Sequence, residues 1–90
     1  MAYLLRADGT ITEVQPANGD CFTNDEIESL VGGYFEPVPM VTDGIMLIDD
    51  EGKLKNKPLN TQATERYLYR RSDFIVGDAL VVSYAEMGER

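Results

Sequence analysis

The stretch Asp49-Asp-Glu-Gly-Lys-Leu-Lys-Asn-Lys-Pro-Leu-Asn-Thr-Gln-Ala-Thr64 carries a strand end, a tight turn, three lysines and a helix start in succession. Ile45-Met-Leu-Ile48, just before it, is a continuous apolar run between turn residues, the pattern of a central, buried strand. Asp50-Glu-Gly52 turns the chain, and Lys53-Leu-Lys-Asn-Lys57 reads as exposed and basic. Pro58-Leu-Asn60 then delivers Asn60 as the N-cap of a helix over about Thr61 to Tyr69. From that helix Ala63, Tyr67 and the aliphatic stem of Arg70 are expected to face inward.

Towards the N-terminus, Tyr34 to Met40 reads as a strand. Pro37 and Pro39 each remove a ladder donor, which places it at an edge or beside a bulge. Thr23 and Glu26 stand at capping-box spacing ahead of Ile27, Leu30 and Val31, and Gly32-Gly33 ends that short helix. Ala2 to Leu5, the turn signal Asp8-Gly9 and the alternating Thr10 to Val14 describe a hairpin. Beyond the second helix come two apolar runs, Phe74-Ile-Val76 and Ala79-Leu-Val-Val82, parted by Gly77-Asp78; they form either one bent strand or two. Residues 86–90 are expected to fray. The expectation is a single small α+β domain over residues 1–90. It has a mainly antiparallel sheet of about five to six strands and two short helices. The strand order is open at this point.

Ninety residues suffice for one domain that buries only about 60 to 65% of the surface of its unfolded chain. Cys21 is alone, so no internal disulfide can form, and the absence of histidine removes Cys/His zinc spacing and any imidazole base. No run approaches the length of a membrane span, and Met1 to Arg6 lacks the start of a secretory leader, so the expected location is cytoplasmic. The formal net charge of −8 argues against direct nucleic-acid binding. That charge is uneven. Met1 to Glu51 holds eleven acids against one base, Gly52 to Ser72 six bases against one acid, and the rest four acids against one base.

Five short motifs in order carry a resemblance. They are Asp8-Gly9, Leu30-Val-Gly-Gly-Tyr-Phe-Glu-Pro-Val38, Asp50-Glu-Gly52, Pro58-Leu-Asn60 with Ala63-Thr64, and Ile75-Val-Gly-Asp-Ala79. Together they resemble the phage- and plasmid-borne domain of unknown function 3846 over nearly the whole chain. The resemblance implies a small accessory protein of bacteria, archaea or their phages. It brings no established activity, so no catalytic residue is carried over. The dense lysine triplet is not assumed to be shared with relatives.

No catalytic signature is present: there is no nucleophile and base at meaningful spacing, no phosphate-binding glycine loop and no metal cluster. The carboxylates of Asp49-Asp-Glu-Gly52 lack the twelve-residue calcium-loop spacing, and a Glu36 pairing with Asp49 or Asp50 for glycosidic chemistry has nothing in sequence to support it. Catalytic, cofactor and metal residues are therefore expected to be none.

The first functional reading is a non-catalytic protein holding a small anionic ligand, such as a nucleotide, at the basic segment and the second helix's start. It would use Tyr34, Glu36, Lys55, Lys57, Asn60, Thr61, Thr64 and Arg66, with tyrosines supplying stacking surface, and homo-oligomers would suit it. The blander account is that Asn60 caps the helix and the lysines are solvated edge guards. The alternative is an acidic interaction module that engages a host protein through Asp25, Glu26 and Glu28, inhibiting an enzyme or imitating nucleic acid. For these acids, simple complementarity to the helix N-terminus competes.

Overall fold

The computed structural model describes residues 2–87. In chain order the elements are β1 (Ala2–Leu5), β2 (Ile11–Val14), α1 (Asn24–Val31), β3 (Phe35–Pro39), β4 (Ile45–Asp49), α2 (Thr61–Arg66), β5 (Ala79–Val82) and α3 (Tyr84–Met87). Five strands form one antiparallel sheet in the order β2-β1-β5-β4-β3. Two local hairpins, β1–β2 and β3–β4, are thus joined through β5, which sets Leu80 opposite Leu4 on one side and Leu47 on the other. The α+β class read from the sequence holds, with three short helices instead of two. Among the described residues no helix is long and apolar enough to cross a membrane.

Period-two alternation along β4 and β5 separates the buried side chains into two clusters, one on each face. On the first, Ile27 and Val31 of α1 pack with Phe22 onto Ala2, Leu47, Leu80 and Val82. On the second, Ala63 and Tyr67 pack with Ile75 onto Leu5, Val38, Met46 and Ala79. The helix over this second face, α2, has only six residues, and Tyr67 and Ile75 beyond it complete the cover.

Local chemistry explains the boundaries. Thr23 Oγ1 accepts from the Glu26 N–H at 3.2 Å while Glu26 Oε1 accepts from the Thr23 N–H at 2.8 Å, the reciprocal capping box expected for α1. Gly32 ends the helix at φ +90°, a conformation that favours glycine. β3 lies at the sheet edge, where Pro37 and Pro39 are tolerated. α2 stops at Arg66, short of the expected Tyr69, because the chain there turns extended and pairs with the end of β3. Tyr67 bridges Met40, and the Leu68 N–H donates to the Pro39 carbonyl at 3.0 Å. Arg70 is consequently exposed, contrary to its expected inward stem.

The two C-terminal apolar runs resolve into one strand and one connection. Val76 makes an isolated bridge to Leu59, and β5 begins at Ala79. Glu86 and Met87, placed by the sequence in a frayed end, complete α3, and the other tail residues lie outside those described.

Asn60 holds these parts together. Its Oδ1 accepts from the Ala63 N–H at 2.9 Å as the expected cap. Its Nδ2 donates to the Leu5 carbonyl at 2.7 Å and the Gly77 carbonyl at 2.8 Å. The side chain is fully buried, so its removal strands two carbonyls away from water as well as uncapping α2. Asn60→Ala is expected to destabilise the protein by about 2 to 4 kcal/mol, against about 1 kcal/mol for Thr23→Ala at the exposed cap of α1. Equal losses in urea melts would contradict this assignment.

Candidate functional site

Asp49 ends the apolar strand β4 with its side chain only 1% exposed, and an isolated carboxylate there would be strongly disfavoured. The lysine segment supplies its counter-charges: Lys55 Nζ lies 2.8 Å and Lys57 Nζ 2.6 Å from Asp49 Oδ2. The Glu51 N–H donates to Oδ1 at 2.9 Å. Burial alone would raise the Asp49 carboxyl, but the two ammonium groups and this N–H outweigh it and lower it from 3.8 to about 2. Lys55 is correspondingly raised by Asp49.

The same lysines finish α1. Lys57 Nζ donates to the Val31 carbonyl at 2.9 Å and Lys55 Nζ to the Gly32 carbonyl at 3.3 Å, so both cations sit at the negative end of the helix. The lysine ends pass close to the glycine backbone. A Cβ on Gly33 would stand 2.6 Å from Lys55 Nζ and 3.0 Å from both Asp49 carboxylate oxygens. One on Gly32 would stand 2.7 Å from Lys57 Nζ. The chain between is a compact turn in which Asn56 takes φ +56°, a conformation asparagine tolerates.

The expected anion site is therefore largely turned inward. Lys55 and Lys57 face Asp49 and helix carbonyls, and Asn60 is buried with its donors and acceptor engaged. Thr64 Oγ1 donates to the Asn60 carbonyl and accepts from the Ile75 N–H. Arg66 Nη1 donates to the Gln62 carbonyl and side chain.

 Tyr34 and Thr61 are both exposed to solvent, and among the described residues the Lys55 and Lys57 hydrogen bonds go to Asp49, Gly32 and Val31 instead. Of the acids expected to face a partner, Asp25 is exposed and Glu28 half-buried, while Glu26 serves the capping box and accepts from the Ala17 N–H at 2.9 Å.

Glu36 belongs to a different feature. On the α2 face of the sheet it borders a cleft of about 130 Å³ together with Asp50, Lys53, Tyr67, Asp73 and Phe74. Lys53 pairs with Asp73 and places its Nζ 4.5 Å from the centre of the Phe74 ring. That pairing holds Asp73 below the ordinary carboxylate range. Burial raises the Tyr67 phenol, and the Asp73 carboxylate adds to the effect, so it stays neutral. Leu54 and Phe74, 80% and 47% exposed, form an apolar rim. Sequence reasoning missed Lys53, Asp73 and Phe74 as a group because they meet across twenty residues of chain. Gly32-Gly33 did carry a signal: one glycine suffices to end a helix, and the second marks a close approach.

A family model described as Domain of unknown function (DUF3846) matches residues 2–90. The chain belongs to that family. The resemblance carried by the five motifs is thereby established, and the family's description assigns no activity. No curated protein and no solved structure matches the chain. Among the described residues, no group of three or more His, Cys, Asp or Glu converges as a metal site would.

Because the folded Asp49 is depressed, its contribution is present above its unfolded value of 3.8 and is lost as pH falls towards about 2. The loss is expected to approach about 2 kcal/mol across that window and to vanish in Asp49→Asn, measured by urea melts against pH. An unchanged pH dependence in the variant would refute the role of Asp49.

Proposed function

We propose that this protein is a non-catalytic accessory protein of phage or mobile-element type that acts as an acidic interaction module on a basic surface of a host protein. The observation that carries this reading is the cleft in which Glu36 and Asp50 stand beside the exposed Leu54 and Phe74, Asp73 being already paired with Lys53. Carboxylates next to an apolar rim suit a lysine or arginine side chain, whose cationic end meets Glu36 and Asp50 while its stem covers Leu54. Size points the same way. At this cleft, about 130 Å³ admits one side-chain end and falls short of the roughly 300 Å³ of a small-molecule pocket. The net charge of −8 would speed encounter with a basic partner and make it salt-sensitive. The anionic-ligand reading has less support, since Lys55, Lys57 and Asn60 already spend their polar atoms within the fold.

The test is calorimetric titration with an arginine- and lysine-rich peptide, with a nucleotide mixture in parallel. The peptide is expected to bind, to weaken as salt rises, and to weaken about tenfold in Glu36→Lys and Asp50→Lys. Asp25→Lys and Glu28→Lys should change it little. Nucleotide binding without peptide binding would defeat the proposal, as would sensitivity confined to Asp25 and Glu28.

A further inference from the structure

The two edges of the sheet differ. β3 carries Pro37 and Pro39, whereas β2 presents Ile11, Thr12 and Glu13 exposed and without a proline. Apolar grooves flank β2 on both faces of the sheet. Val14, Phe22 and Leu30 border one on the α1 side, and Tyr3, Ile11 and Val81 border another on the α2 side. A strand added at this edge would send alternate side chains into the two grooves.

We propose that the occupant is a second copy of this chain, paired antiparallel through β2. Two-fold pairing sets one residue opposite itself, and the strand offers two candidates at its centre. Glu13 against Glu13 would oppose like charges, whereas Thr12 against Thr12 is a favourable cross-strand pair. In the Thr12 register, Glu13 of each copy faces Ile11 of the other on the α2 face. Arg66 borders the same groove as Ile11, so Glu13 comes to it from the other copy. Neither Glu13 nor Arg66 forms an ion pair among the described residues. The surface is therefore self-complementary in charge as well as in backbone.

Light scattering after size-exclusion chromatography, over the micromolar to millimolar range, tests this with the full chain. The wild type is expected at twice the 10.0 kDa chain mass. Thr12→Lys and Glu13→Arg should weaken the dimer at least about tenfold, and Glu13→Arg with Arg66→Glu should restore it. Circular dichroism melts confirm that each variant folds. A wild type that stays monomeric throughout overturns the proposal, and so does a dimer indifferent to all three variants. A monomer whose β2 amides gain exchange protection only on adding an unrelated strand peptide would overturn it in favour of a foreign strand.

Discussion

A buried carboxylate at the end of an interior strand constrains much of this structure. Asp49 cannot remain ionised among apolar neighbours without counter-charge, and its sheet position is fixed by β4. Lys55 and Lys57 must therefore come to it, which folds residues 50–57 back against the end of α1. The arrangement serves two needs at once, because the same ammonium groups satisfy carbonyls that the helix leaves without partners. Gly32 and Gly33 provide the space.

Where the lysines go decides what surface remains. Of the six bases between Gly52 and Ser72, Lys55 and Lys57 share the Asp49 carboxylate and Lys53 pairs with Asp73. What faces solvent near it is the cleft with Glu36 and Asp50, rimmed by Leu54 and Phe74. The folded protein thus exposes Glu36 and Asp50 in the same region as Arg70 and Arg71.

Features set by near neighbours were legible in the sequence. The Asp8-Gly9 hairpin, the Thr23–Glu26 capping box, the Asn60 cap and the proline-marked edge all depend on residues within a few positions of one another. Features set by distant contacts were not. The basic segment looked solvated because its partner Asp49 reads as part of a surface turn, and α2 looked longer because the Met40–Tyr67 bridge lies between remote segments. Phe74 to Val76 has strand composition, yet Asn60 and Thr64 claim the Ile75 backbone and hold it as a connection. The Glu36 cleft escaped for the same reason, its walls coming from four separated parts of the chain.

The position of β5 has a consequence for how the sheet is assembled. Each hairpin can form from local contacts, but they do not adjoin until Ala79–Val82 slots between them. During synthesis the two hairpins therefore wait for Ala79–Val82, each with an open interior edge. Closure by β5 removes both edges in one step, which makes the sheet's completion a late and cooperative event governed by contacts distant in sequence.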